Sequence, residues 1–192
     1  MTLRFKKIHI LFLCLVASYT TKAQLNANFT ANITEGCGSL SGIVLTPTGN
    51  PAITSWSWSF GNGNSSQLQN PSASYASIGR FTVSLTVSDG TTSQIITKVD
   101  YIKVYSNPTA NFTFSPNGGC SPLPVNFVST STLGDGPITS YSWDFKDGSP
   151  STSQANVSHT YQVQGNYTPS LLIVDSNGCA NTIVLGPLNV TE

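Results

Sequence analysis

The chain has 192 residues, enough for one large domain or two small ones. Only 8% of them are charged, against roughly 25% in an ordinary globular chain, with eight basic residues balancing eight acidic. Four of the basic residues, Arg4, Lys6, Lys7 and Lys22, lie within residues 1–23, so the remainder carries a net charge of −4 and lacks the basic surface that nucleic acid or an anionic membrane requires.

Residues 1–23 read as a cleaved signal peptide. Arg4, Lys6 and Lys7 make a basic start, Ile8 to Ala17 an apolar run, and Thr21 and Ala23 the small residues of a cleavage site before Gln24. The run is too short to span a bilayer, and no later segment is long and apolar enough, so no transmembrane segment is expected in the mature chain. A lipoprotein anchored at Cys14 is the competing reading; Leu13 and the short run before it count against this.

Beyond the leader, short alternating runs replace any helical period. Trp56, Trp58 and Phe60 alternate with Ser55, Ser57 and Ser59. Phe81, Val83, Leu85 and Val87 alternate with Thr82, Ser84, Thr86 and Ser88. Period two, apolar inward and hydroxyl outward, predicts half-buried antiparallel strands. Turns are expected at Thr48–Pro51, Gly61–Gly63, Asp89–Gly90, Asp135–Pro137, Asp147–Gly148 and Asn177–Gly178.

The same patterns return about 85 residues later, a period that fits a whole small domain. Ala27-Asn-Phe-Thr30 matches Ala110-Asn-Phe-Thr113, Cys37 matches Cys120, and Ser55-Trp-Ser-Trp-Ser-Phe-Gly-Asn-Gly63 matches Ser140-Tyr-Ser-Trp-Asp-Phe-Lys-Asp-Gly148. Tyr75, Gly79 and Phe81 match Tyr161, Gly165 and Tyr167. The expected organisation is a first domain over 24–105, a short linker over 106–109 containing Pro108, and a second domain over 110–192. Pro169 interrupts one strand of the second copy, predicting an edge or a bulge there. Many short strands in so few residues point to an all-β fold of two β-sandwiches.

Three cysteines remain after the leader, which allows one bridge within the chain. Cys120 and Cys179 lie in the same copy, and their pairing is expected, closing a loop of about 60 residues worth about 3–4 kcal/mol. Cys37 is then either a free thiol or an intermolecular partner.

These residues resemble the PKD domain, an immunoglobulin-like β-sandwich whose pattern is Trp-Asp-Phe-Gly-Asp-Gly followed by His-x-Tyr-x-x-x-Gly-x-Tyr. The second copy reads Trp143-Asp-Phe-Lys-Asp-Gly148, His159-Thr-Tyr161 and Gly165-Asn-Tyr167; the first reads Trp58-Ser-Phe-Gly-Asn-Gly63, Tyr75 and Gly79-Arg-Phe81. The resemblance implies a mainly architectural motif. Trp58, Phe60, Trp143 and Phe145 are expected to fill the space between sheets. Tyr75 and Tyr161 are expected to bond nearby backbone through their hydroxyls, and His159 to be structural. Some PKD domains near collagen-degrading enzymes hold calcium, which makes Asp144 and Asp147, with Asp135 near them, weak metal candidates against the alternative of a hydrogen-bonded turn. No other cofactor is expected.

No catalytic constellation is legible. Trp56, matched by Tyr141, is the candidate for stacking on a sugar or a protein ligand, with core packing as the alternative. The expected function is that of a secreted or cell-surface, non-catalytic structural or adhesion module of a larger protein. It would serve as a spacer or as an interaction surface for an extracellular protein or polysaccharide. The alternative is an accessory polysaccharide- or matrix-binding pair of a secreted hydrolase.

Overall fold

Strands that alternate apolar and hydroxyl side chains can bury one face and leave the other in water. A computed structural model describes residues 25–49, 52–149 and 153–192, and β-strands are the regular elements throughout them. The expected signal peptide, Cys14, and the Asn50–Pro51 part of the first turn lie outside the described residues.

The first module holds two sheets. One is built from β1 (Asn28–Ala31), β3 (Leu40–Thr48) and β6 (Ser72–Tyr75), in the order β1-β3-β6. The other contains β2 (Glu35–Cys37), β4 (Ser55–Ser59), β5 (Ser65–Ser66), β7 (Gly79–Ser88) and β8 (Ser93–Tyr105), in the order β2-β8-β7-β4-β5.

The second module repeats the plan. Strands β9 (Phe112–Ser115), β11 (Leu123–Ser129) and β13 (Asn156–Tyr161) form the first sheet. The counterpart of the five-stranded sheet is divided. One part joins β12 (Ile138–Asp144), β15 (Ser170–Asp175) and β16 (Ala180–Val184); the other joins β10 (Gly118–Cys120), β17 (Leu188–Thr191) and β14 (Gly165–Tyr167). Pairing is antiparallel except for β2 with β8 and β10 with β17, which are parallel.

Pro169 explains the division. It has no N–H for the ladder, so the long strand of module 1 becomes β14 and β15 in module 2. Pro169 stands where the chain passes from β14, the edge strand of the order β10-β17-β14, to β15, which lies between β12 and β16, so the expected edge is met on its β14 side. Module 1 crosses the same place with a register shift between Phe81 and Val83, opposite a strand in which Asp100 takes a φ of 51°.

Each module has its own core. Phe29, Ile43, Leu45, Trp58, Val83, Leu85 and Val87 are buried together in the first; Phe112, Phe127, Trp143, Phe145, Leu171 and Ile173 in the second. The two tryptophans occupy equivalent places, Trp58 opposite Leu85 and Trp143 opposite Leu171. Each meets the edge of a phenylalanine from the facing sheet, Phe29 at 5.2 Å and Phe112 at 5.0 Å. Their indole N–H groups are satisfied by carbonyls, Leu68 at 3.0 Å and Gln154 at 2.8 Å. Replacing either by alanine removes about 3–5 kcal/mol.

Candidate functional site

The turn after each tryptophan is fixed from two sides. Tyr75 and Tyr161 are buried, and their hydroxyls donate to the Phe60 and Phe145 carbonyls at 2.9 and 3.2 Å. Burial pushes the Tyr75 phenol up to about 12 and raises that of Tyr161 as well. At the turn itself, Gly61 has a φ of 77°, and a Cβ there would stand 2.3 Å from the Thr82 carbonyl oxygen. Module 2 places Lys146 at the same point with a φ of 63°. Asp144 supports it, accepting from the Lys146 backbone N–H at 2.9 Å and pairing with its ammonium group.

These contacts occupy the carboxylates named as metal candidates. Asp147 meets His159 Nε2 at 2.6 Å and accepts from Ser149 N–H at 3.0 Å. Burial opposes its ionisation, but hydrogen bonds from His159 and Ser149 outweigh that and hold its carboxyl below the ordinary value. His159 in turn lies flat on Phe145, with ring centroids 4.1 Å apart. Asp135 is elsewhere, at the boundary between modules, where it accepts from Ser106 N–H at 2.7 Å. No group of three or more His, Cys, Asp or Glu side chains that could hold a metal ion occurs among the described residues. Asp144 and Asp147 already have cationic or N–H partners, and this donor set does not fit calcium, which needs six or more oxygens.

Trp56 is half-buried. It shares the inward parity of Trp58 and packs against the first core, opposite Val87. Its remaining surface lines an open hollow of about 520 Å³ together with Ser55, Ser57, Leu68 and Thr86. Leu68 is 67% exposed, so the hollow joins an aromatic wall, an exposed aliphatic chain and a rank of hydroxyls.

The cysteines pair across the modules. Cys37 is bonded to Cys179, with Cα atoms 5.6 Å apart and a sequence separation of 142 residues, while Cys120 is free and exposed. This corrects both the expected Cys120–Cys179 bridge and the reading of Cys37 as a free or intermolecular thiol. The reason is strand direction. Cys120 ends β10, which runs parallel to β17 and stands opposite Thr191. Cys179 lies in the turn before β16, at the other end of the path through β16 and β17. At about 3.3 Å per residue, those two ends of the module are roughly 35 Å apart. Cys37 stands opposite Tyr105, where β8 leaves module 1, and so meets the module 2 turn. The signal was present in the repeat. Both copies carry the early cysteine and only the second carries the late one, a pattern that fits a bridge staggered by one module.

Asp175 builds the receiving turn. Its buried carboxylate accepts from the N–H groups of Asn177 and Cys179, both at 2.8 Å. Around the bridge, the connecting chain is held to module 2: Ser106 exchanges hydrogen bonds with Asp135, and Gly134 passes so close that a Cβ would lie 2.3 Å from the Ser106 carbonyl oxygen. A groove of about 480 Å³ runs along this junction, with Ile78, Gly79, Arg80, Val104 and Tyr105 on the module 1 side and Asp135 and Asn177 on the other. Asp135, the role of which rests on a contact between modules, could not be identified from its local sequence.

Among the described residues, no helix is long and apolar enough to cross a membrane. The chain is 29% identical over 137 residues to the pre-pro-metalloprotease PrtV of Vibrio cholerae, covering 69% of this chain but 14% of that protein. It is 41% identical over 59 residues to collagenase ColA of Clostridium perfringens, covering 30% and 5% respectively. The chain thus spans only a small part of the length of these relatives. Among solved structures, the PKD1 domain of Vibrio anguillarum Epp matches at 33% identity, covering 45% of this chain and 99% of that one, with a TM-score of 0.40. The PKD domain profile matches residues 21–104 and again 105–185, which together take in nearly the whole sequence, so the chain belongs to the PKD domain family as a tandem pair of immunoglobulin-like modules.

Proposed function

We propose that this chain is a non-catalytic, extracellular spacer that sets the distance and angle between what is attached at its two ends, as part of a larger secreted or cell-surface protein. The observation that carries this reading is the Cys37–Cys179 bridge across the module boundary. A flexible tether needs no such link, and a bridge of this kind persists in oxidising compartments outside the cytosol. The hydrogen bonds between Ser106 and Asp135 support the same reading. Domains of one chain joined by a small polar interface ordinarily swing, and a second covalent connection removes that freedom. Small-angle scattering tests the proposal. The oxidised chain should give one narrow distribution of distances, and Cys37→Ala should broaden it while both modules stay folded. Identical profiles for the two proteins would refute it.

The hollow at Trp56 favours a second reading: an accessory pair that holds a polysaccharide or matrix protein for a secreted hydrolase. Indole stacked on a sugar face with hydroxyls around it is a workable recognition surface. The kinship with a metalloprotease and a collagenase agrees with such a placement. Here Trp56→Ala should abolish retention on insoluble polysaccharide or collagen and leave the circular dichroism spectrum unchanged. Equal retention of both proteins, or none by the native chain, would remove this reading.

A further inference from the structure

The two modules present their trailing ends in the same geometry. In module 1, Cys37 stands opposite Tyr105 in a parallel pair, and Gly38 N–H donates to the Tyr105 carbonyl at 2.8 Å. In module 2, Cys120 stands opposite Thr191 in a parallel pair, and Ser121 N–H donates to the Thr191 carbonyl at 2.9 Å. Module 1 uses this end to hold module 2 through Cys37. Module 2 leaves its own cysteine exposed and free.

A second feature marks the same end. Gln164, Gly165, Asn166, Val190, Thr191 and Glu192 line an open groove of about 640 Å³. The first five take the places that Ile78, Gly79, Arg80, Val104 and Tyr105 hold in module 1, as the matching registers Gly79 with Val104 and Gly165 with Val190 show. In module 1 the groove is completed by Asp135 and Asn177 of the following module. In module 2 the equivalent place is open. The amide of Glu192 corresponds to that of Ser106, which Asp135 captures.

From this repetition we propose that the trailing end of module 2 is a docking face for a further PKD module, one carrying a cysteine in the turn equivalent to Asp175–Cys179, and that Cys120 bridges to that cysteine. The inference deepens the spacer reading and rests on it. A second copy of this chain is not the fitting occupant. Its Cys179 is already bonded to its own Cys37, and the corresponding turn of its module 1, Asp89–Thr92, contains no cysteine. In the bond-forming step, Cys120 and the incoming cysteine each lose a proton and one S–S bond forms. The two electrons reduce a disulfide oxidant, such as oxidised glutathione, to two thiols.

The test is a three-module protein made by appending a second copy of residues 107–192 after Glu192, the appended copy carrying Cys120→Ala. It is refolded in a glutathione redox buffer and digested without reductant. Mass spectrometry should find Cys120 linked to Cys179 of the appended copy, alongside the original Cys37–Cys179 peptide, and Cys120 should lose its reactivity toward iodoacetamide until reductant is added. With Cys120→Ala also in the first copy, the appended Cys179 should be recovered as a thiol in a protein with unchanged circular dichroism. Recovery of Cys120 as a thiol or glutathione adduct beside a folded third module, or linked to Cys120 of a second molecule, would overturn the inference. Loss of the original Cys37–Cys179 peptide from the two-module chain would instead sink the spacer reading itself.

Discussion

Breaking the Cys37–Cys179 bridge should weaken both modules, because the bridge limits what either can explore once unfolded. Cys37 and Tyr105 are partners in adjacent strands, so the chain leaves module 1 beside the point to which the bridge returns. If module 2 unfolds while module 1 stays folded, the bridge closes a loop of roughly 75 residues, and the chain-entropy relation puts that constraint at about 4.5 kcal/mol. Unfolding of module 1 alone leaves a loop of similar length between Cys37 and Ser106. Unfolding of both closes the full separation of 142 residues, worth about 5 kcal/mol.

Cys37→Ala is the informative variant, since Cys37 is partly exposed and its partner Cys179 can remain buried as a thiol. Urea unfolding followed by tryptophan fluorescence reads module 1 through Trp56 and Trp58 and module 2 through Trp143. With a denaturant slope of about 1–3 kcal/mol/M, the midpoint should fall by roughly 1.5–4.5 M. A reductant should lower the native midpoint to that of Cys37→Ala and leave Cys37→Ala unmoved, and Cys120→Ala should match the native protein. A midpoint for Cys37→Ala equal to the native one, or a reductant effect of the same size in both proteins, would refute the reasoning.

Three further outcomes follow from the turns. Gly61→Ala should cost module 1 about 2–3 kcal/mol in urea unfolding, because its Cβ meets the Thr82 carbonyl in a backbone region that side chains avoid. Lys146→Gly should gain module 2 about 0.5–1 kcal/mol by the same assay, relief of the positive φ exceeding the loss of an exposed ion pair with Asp144. The carboxyl of Asp147 lies below its ordinary value, so its stabilisation is present above an unfolded value of about 3.9 and is lost as the pH falls toward the folded one. Module 2 should therefore weaken on acidification below about pH 4, and Asp147→Asn should flatten that part of the curve; parallel curves for the two proteins would show that the His159 contact contributes nothing.

The fold class was legible because period-two patterning carries its own geometry. Alternation in Ser55–Phe60 and Phe81–Ser88 assigns each side chain to one face, and parity alone puts Trp58 and Leu85 on the same side of the sheet. Repetition then did for module 2 what patterning did for module 1. Parity could not say how far along a strand the sandwich closes, and so left Trp56 undivided between core and surface. Chain direction at module ends was also out of reach. The pairing of Cys120 with Cys179 looks natural along the sequence, but strands β16 and β17 separate those two ends. Two short parallel pairings, β2 with β8 and β10 with β17, decide where Cys37 and Cys120 stand, and three-residue strands containing glycine carry almost no pattern of their own.

The junction also explains why a bridge is needed. The groove at the junction joins polar Arg80, Tyr105, Asp135 and Asn177 to apolar Ile78 and Val104, and the two hydrogen bonds at Ser106 contribute about 1 kcal/mol each. Hydrogen bonds of that size leave the relative motion that domains of one chain ordinarily have, which a covalent bridge restricts. With the bridge in place, module 1 is tied to module 2 at two covalent points, the chain through Ser106 and the bond to the Asp175–Cys179 turn. Both ties start from neighbouring residues, Tyr105 and Cys37. They also arrive at neighbouring parts of module 2, because Ser176 N–H donates to the Pro137 carbonyl at 2.9 Å and so joins the turn held by Asp175 to the segment beside Asp135. Two adjacent ties remove the free pivot that a single connection between domains leaves.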